Sequence, residues 1–401
     1  MTAIDREVGF LWPGGDARFW NTEQDLLDVL QHQNEIKASD IYFTTGRPVT
    51  ARVHGRLVRL TRRRLDHEHV RNVANWLYGG DNAETEIRQG KALDNAYTFP
   101  VSRFESLRYR WCATGVVAER GFGINIIMRE LAGIPPALDT ADLGDELMGA
   151  LFPDDGLVLV CGATGAGKST LLAGVIRYKA EDPEADSHII TYESPVEYVF
   201  HGIKTISCEI EQSALPDHLT GGFADAIRNA LRRDPDIILV GESRDAETIK
   251  ASVLAAQTGH ALYTTVHANS VGTVFLRLIQ TLPVAESASV IGSIIDSVRV
   301  IICQQLLPST DGKRVAVREY LICDADVRLA LLRAAVKGLS ELPSAATQQL
   351  RRFGQTKSAH ARRLVEAGRL APEYLMAIER DEARDDAELA AESKELSDGA
   401  H

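Results

Sequence analysis

The chain is 401 residues long, 45% hydrophobic and 25% charged, with a formal net charge of −12. That length corresponds to roughly two or three domains of about 150 residues, and the composition excludes pervasive disorder and collagen-like structure. The acidic balance argues against a general electrostatic attraction to nucleic acid or anionic lipid.

Residues 1–21 hold Trp12, Pro13, Gly14, Gly15 and Trp20 without periodicity and are expected to form a short ordered arm. From Thr22 to Gln33 the leucines Leu26, Leu27 and Leu30 recur at helical spacing, with Thr22 as the N-cap. Short strands follow at Asp40–Phe43, Val49–Val53 and Leu57–Leu60, punctuated by Gly46, Pro48 and Gly55. A helix at Glu68–Leu77 and strands at Ala96–Pro100, Arg108–Val117 and Gly123–Met128 complete an α+β domain over 22–131. Gly133, Pro135 and Pro136 mark 132–143 as a stiffened interdomain linker.

Beyond it, strands alternate with helices, the pattern of a parallel sheet covered on both faces. The strands are Leu157–Cys161, His188–Tyr192, Thr205–Ile210, Ile237–Val240 and Ala261–Val266. The helices are Lys168–Lys179, Phe223–Arg233, Ala246–Thr258 and Val271–Thr281, within a domain over 144–323. After Ala285 helices are expected, interrupted by a strand at Val315–Cys323 and continuing as a helical subdomain over 324–380. Residues 381–401 are acidic and poor in aromatics, and are expected to be disordered. The apolar run Ser289–Leu307 is broken by Asp296 and Arg299 and is not expected to span a bilayer. The first residues lack the pattern of a secretory signal. Five scattered cysteines without a Cys-x-x-Cys pair point to a reducing compartment, with neither a disulfide framework nor a zinc site.

The strongest motif is Leu157-Val-Leu-Val-Cys161 running into Gly162-Ala163-Thr164-Gly165-Ala166-Gly167-Lys168-Ser169-Thr170, a phosphate-binding loop between strand and helix. Its glycines let backbone N–H groups converge on phosphate oxygens, and the helix dipole points the same way. Lys168 is expected to neutralise the β- and γ-phosphates of ATP, the Ser169 hydroxyl to ligate Mg²⁺, and Thr170 to line the loop.

Hydrolysis also needs a carboxylate near the metal and a group that orients water. Glu242 ends the apolar strand Ile237–Val240, on the edge where a parallel sheet places its ligand crevice. Asp236, at the opposite end of that strand, reads as structural. Glu193 and Glu197 follow a second strand and can hold Mg²⁺ through water or order the nucleophile, although two carboxylates beside a turn proline also read as surface. His267 follows a third strand and can donate to the γ-phosphate.

Together these blocks resemble the type II/type IV secretion ATPases, the PilT/VirB11-like family. In that family's terms Gly162–Thr170 is Walker A, Glu193–Glu197 the Asp box, Asp234–Glu242 the Walker B region and Gly259–Asn269 the His box. Within it, Thr191-Tyr-Glu-Ser-Pro195, Asn229-Ala-Leu-Arg-Arg233 and Arg318-Glu-Tyr-Leu321 resemble the DotB/TraJ subgroup of type IVB (Dot/Icm-like) secretion and conjugation systems. Ser194 stands where PilT-like members carry an aspartate, which favours that subgroup over pilus retraction.

The resemblance implies an α/β fold with a RecA-like P-loop domain, an N-terminal α+β PAS-like domain and a helical C-terminal extension. It implies a homohexamer with nucleotide bound between domains, located in the cytoplasm and recruited peripherally to the inner membrane. The partners it implies are secretion-system components such as a VirB4/DotO-like ATPase, with no direct nucleic acid. It also implies that Arg108, Arg110 and Arg129 are catalytic, carrying positive charge to the γ-phosphate. Alternatives are a PilT-like retraction motor and a RecA-like nucleic-acid motor.

Other charged features read more plainly. Arg62-Arg63-Arg64 is expected in a solvated turn. Arg228, Arg232 and Arg233 share one expected helix, and His260 is expected to cap a carbonyl at a helix end.

Overall fold

The computed structural model describes residues 11–13, 20–53, 55–101, 106–119, 121–131, 133–216 and 218–384. Most of the expected N-terminal arm (1–10 and 14–19) and most of the expected tail (385–401) lie outside the described residues. Two compact units divide the chain, Met1–Gly133 and Ile134–His401.

The first unit contains α1 (Glu23–Glu35), β1 (Asp40–Thr44), β2 (Pro48–Val53), β3 (Arg56–Arg64), α2 (His67–Tyr78), α3 (Ala83–Arg88), β4 (Leu93–Pro100), β5 (Ser106–Ala118) and β6 (Gly121–Leu131). The strands form an antiparallel sheet in the order β3-β2-β1-β6-β5-β4. Local sequence sets the helix ends. Asp25 accepts from the Thr22 N–H at 3.1 Å at the start of α1. Asp66 accepts from the His69 N–H at 3.0 Å, and Gly79 closes α2 at φ 72°. Trp12 and Trp20 are buried in this unit's core, Trp20 edge-on to Phe43 with centroids 5.6 Å apart. Arg62-Arg63-Arg64 is exposed on strand β3 rather than in a turn.

The second unit begins with α4 (Thr140–Leu143), α5 (Asp145–Ala150), β7 (Gly156–Cys161), α6 (Lys168–Glu181), β8 (Ser187–Glu193) and β9 (Cys208–Ala214). It continues with α7 (Gly222–Ala230), β10 (Ile237–Val240), α8 (Ala246–Gln257), β11 (Ala261–Val266), α9 (Val271–Thr281) and α10 (Val284–Ser297). Then come β12 (Val298–Pro308), β13 (Arg314–Ile322), α11 (Ala325–Lys337), α12 (Leu342–Phe353), α13 (Lys357–Glu366) and a helix over 372–384. The sheet order is β13-β12-β7-β11-β10-β8-β9, parallel throughout except for β13.

Strand β7 shows why the sheet needs cover on both faces, since all six of its residues are buried. Leu157, Leu159 and Cys161 join a core with Ile249, Phe275 and Ile294, whereas Val158 and Val160 join another with Leu172 and Ile176. Among the described residues no helix is long and apolar enough to cross a membrane. All five cysteines are free thiols.

Several elements differ from the sequence expectation. The helical continuation after Ala285 stops at Ser297, and Val298–Pro308 is a strand. Its β-branched run pairs beside β7, Ile302 against Val160 and Cys303 against Cys161. Strand β9 starts at Cys208 instead of Thr205, because its register on β8 runs from Ser187↔Cys208 to Glu193↔Ala214. Helix α7 ends at Ala230, so Arg232 and Arg233 lie beyond it, and Arg233 forms an ion pair with Glu211. From Ile134 the proline-bearing segment belongs to the second unit, where the Pro135 carbonyl accepts from Arg177 Nη1 at 2.6 Å. Asp381 to Arg384 are helical, and Glu382 accepts from the Ser358 N–H at 2.9 Å.

Candidate functional site

Because β7, β11, β10 and β8 are adjacent and parallel, their carboxyl ends share one edge. Strand β11 is inserted between β7 and β10. The turn that carries His267 therefore lies between the glycine-rich loop after β7 and Glu242 after β10. Topology brings together groups that are far apart in the chain.

In the loop, Gly162, Gly165 and Gly167 have φ of 151°, 78° and 81°. At Gly162 a Cβ would also lie 2.5 Å from the Gln304 carbonyl oxygen, so glycine is required by space as well as by conformation. Gly167 forms the N-cap of α6, whose first turn carries no acidic residue. Lys168 is buried, and its Nζ donates to the carbonyls of Gly162 at 2.9 Å and Ala163 at 3.1 Å. Burial pushes its pKa down, while the negative charges of Glu242 and Glu197 oppose that shift. Both carboxylates thus lie within electrostatic reach of the loop lysine. The Thr170 hydroxyl is 2.9 Å from the Tyr198 hydroxyl.

Glu242 Oε1 and His267 Nε2 are 3.2 Å apart, both side chains about one-third exposed. Their backbones are fixed from beneath. Thr265 Oγ1 donates to the Gly241 carbonyl at 2.7 Å, and the Ser243 N–H donates to the Thr265 carbonyl at 3.0 Å. Glu193 is partly buried and differs from its neighbours. It accepts from Gln212 Nε2 at 2.7 Å and Thr191 Oγ1 at 3.1 Å. Burial raises its carboxyl pKa to about 7 against the opposing pull of those donors. Glu197 is exposed. Asp236 accepts from the His188 N–H at 2.7 Å, a structural contact at the far end of β10. His260 Nδ1 lies 3.1 Å from the Ala255 carbonyl, the expected helix-end cap.

The three arginines stand in the first unit. Pairing of β5 with β6 sets Arg110 opposite Arg129, and Arg108 shares their face by its two-residue spacing. Arg110 binds Asp94 through Nη2 at 2.8 Å and Nε at 3.1 Å, and Arg129 Nε is 2.7 Å from Asp40 Oδ1. Arg108 is buried.

The donor set fits a nucleoside polyphosphate with Mg²⁺. The loop combines positive-φ glycines, a buried lysine and a helix N-terminus without acidic side chains. Among the described residues no cluster of three or more His, Cys, Asp or Glu side chains is arranged to hold a metal. Mg²⁺ carried with phosphates needs only one or two protein ligands, and Ser169 follows Lys168 in the first turn of α6.

Sequence reasoning missed the support behind the loop. Gln304 on β12 donates from Nε2 to the Ala166 carbonyl at 2.6 Å. Glu319 on β13 accepts from the Val271 N–H at 2.6 Å, just beyond the His267 turn, and lies 3.8 Å from Lys357 Nζ. A visible signal was the β-branched run Val298-Arg-Val-Ile-Ile-Cys303, which reads as a buried strand once its neighbours are known.

Comparison with known proteins agrees with this geometry. Residues 121–383 match the family described as "Type II/IV secretion system protein". The type IV pilus retraction ATPase PilT of Pseudomonas aeruginosa is 32% identical over 304 residues, covering 76% of this chain and 84% of that protein. The X-ray structure of the Legionella pneumophila ATPase DotB superposes with a TM-score of 0.80 at 40% identity, covering 89% of this chain and 95% of that one. A crystal structure of the pilus retraction motor PilT with bound ADP superposes with a TM-score of 0.71 at 27% identity, covering 88% and 96%.

Proposed function

The chain belongs to the type II/IV secretion system protein family, whose ATPases hydrolyse ATP, and on that premise we propose that it is the Mg²⁺-dependent motor of a type IVB (Dot/Icm-like) secretion or conjugation system. It works as a homohexamer in the cytoplasm, recruited peripherally to the inner membrane beside a VirB4/DotO-like ATPase. The type IVB reading is supported by 40% identity to the Legionella pneumophila DotB over 89% of this chain, against 32% to the Pseudomonas aeruginosa PilT over 76%, and by Ser194 at the Asp box.

The observation that carries the enzymatic reading is the Glu242–His267 pair, 3.2 Å apart on the loop edge and within the field of Lys168. In this reading Glu242 orients the attacking water and accepts its proton, and His267, which faces Glu242 through Nε2, turns to donate toward the γ-phosphate when nucleotide binds. Lys168 and the loop N–H groups neutralise the phosphate oxygens. Ser169 would hold Mg²⁺, with Glu197 and Glu193 helping through water, and the ion would supply Lewis-acid charge neutralisation. Arg108, Arg110 and Arg129 add positive charge during turnover.

Steady-state phosphate release tests the assignment. Glu242→Gln should lower kcat by about 10²–10⁴ while ATP binding by calorimetry persists. Near wild-type turnover would remove Glu242 from the role. Strong, salt-sensitive stimulation by single-stranded DNA would instead favour a nucleic-acid motor, which the net charge of −12 disfavours.

A further inference from the structure

Behind the phosphate-binding loop lies a buried polar chain that ordinary packing would not require. Gln304 is 4% exposed. Its Nε2 donates to the Ala166 carbonyl at 2.6 Å, and its Oε1 accepts from Arg318 Nε at 3.0 Å. Both ends of the amide are therefore used, and its orientation is set, because only the nitrogen can donate to a carbonyl and only the oxygen can accept from a guanidinium. Arg318 is itself held by Asp142. Asp142 also takes Arg369 Nη1 at 2.9 Å and lies 3.5 Å from His360 Nε2. The Arg318 N–H donates to His360 Nδ1 at 2.9 Å, so it is Nε2 of that ring that faces Asp142.

We propose that Gln304 is a positioning residue for phosphate binding, holding the Ala166–Gly167 peptide so that the Gly167 N–H faces the interior of the loop. The peptide unit is planar and trans, so its C=O and the following N–H point in opposite directions. Drawing the Ala166 carbonyl outward onto Gln304 turns the Gly167 N–H inward, toward the oxygens that Lys168 neutralises. Gly167 has φ 81° and no Cβ to lock that peptide, so the loop needs an external restraint. A Cβ at Gly167 would sit 3.0 Å from Gln304 Nε2, which shows how closely the amide is seated. The Arg318–Asp142 pair, with His360 and Arg369, keeps the amide from turning over. This inference rests on the nucleotide-binding reading of the loop and names the residue that makes the loop competent.

Two full-length variants test it. Gln304→Glu keeps size and the acceptor for Arg318 but sets a carboxylate against the Ala166 carbonyl. Gln304→Met keeps length and removes both hydrogen bonds without adding charge. Calorimetric Kd for ATP with Mg²⁺, KM and kcat for phosphate release, and thermal midpoint are measured for each. The expected result is a rise in Kd and KM of about tenfold or more, equivalent to about 1.4 kcal/mol, in protein that remains folded at the assay temperature. Adenosine affinity should stay unchanged, since adenosine has no phosphate to meet the loop. A purely structural role would lower the midpoint and leave Kd and KM of the folded protein as in wild type. That result in either folded variant overturns the proposal while leaving the nucleotide reading intact. Wild-type protein that binds no ATP would overturn the nucleotide reading itself and this inference with it.

Discussion

The carboxyl edge of β7, β11, β10 and β8 and the β12–β13 hairpin beside it belong to one sheet, but their charged groups are placed for opposite ends. On the edge, Glu242, His267 and Glu197 keep contact with solvent. In the hairpin, Gln304, Arg318 and Glu319 are buried or nearly so and bonded on several sides. Groups that act on a ligand must stay available to it, whereas buried polar groups persist only when their hydrogen bonds are complete. The contrast places the side-chain hydrogen bond from β12 to the glycine-rich loop, Gln304 on the Ala166 carbonyl, on the buried side.

Substitutions on the two sides should separate activity from stability. The largest effect is expected from Lys168→Ala. Phosphate release should fall by about 10³ or more, the scale on which preorganised charge stabilisation acts. Unfolding free energy should change by about 1 kcal/mol or less, because losing two hydrogen bonds is offset by removing a buried charge. A stability loss matching that of a hairpin variant would erase the distinction.

Asp142→Asn should do the reverse. Although burial pushes the Asp142 carboxyl up, the hydrogen bond from His360 and the charge of Arg318 hold it at about 2. Burial disfavours the Arg318 cation, so removing the carboxylate strands that cation. A loss of about 3 kcal/mol in denaturant unfolding is expected. A carboxyl held below its ordinary 3.8 contributes stability above that value, and the contribution is lost as pH falls through about 2. The variant should therefore lack that part of the wild-type acid transition.

Glu193 has the opposite sign. With a folded pKa near 7 against an ordinary 4.5, the folded state holds the extra proton between those values. Stability should therefore decline as pH rises through that window. Glu193→Gln should flatten the decline and gain about 3 kcal/mol at pH 8, read from unfolding curves at several pH values. An unchanged pH slope would show that Glu193 ionises normally.

The smallest effect is expected at Asp245, which caps α8 by accepting from the Thr248 N–H at 2.8 Å. Asp245→Ala should cost about 1 kcal/mol with turnover nearly intact. A large loss of activity would extend the functional edge past Glu242 into this cap.

The loop motif, the acidic strand ends and His267 were all legible in the chain because each depends on neighbours within a few residues. The spacing in Gly162–Thr170 marks a glycine-rich turn between strand and helix, and Ile237–Val240 announces the strand that carries Glu242. The unbroken apolar run of β7 likewise states that both faces of the sheet are covered. By sequence alone β12 reads as helix, because a short apolar run after a helical stretch has no period that separates the two states. Only pairing with β7 decides it. Gln304 on the Ala166 carbonyl spans 138 residues, and Arg318 on Asp142 spans 176. No local pattern encodes such contacts, because a glutamine amide and a guanidinium gain their meaning only when folding removes water and leaves each one defined partner.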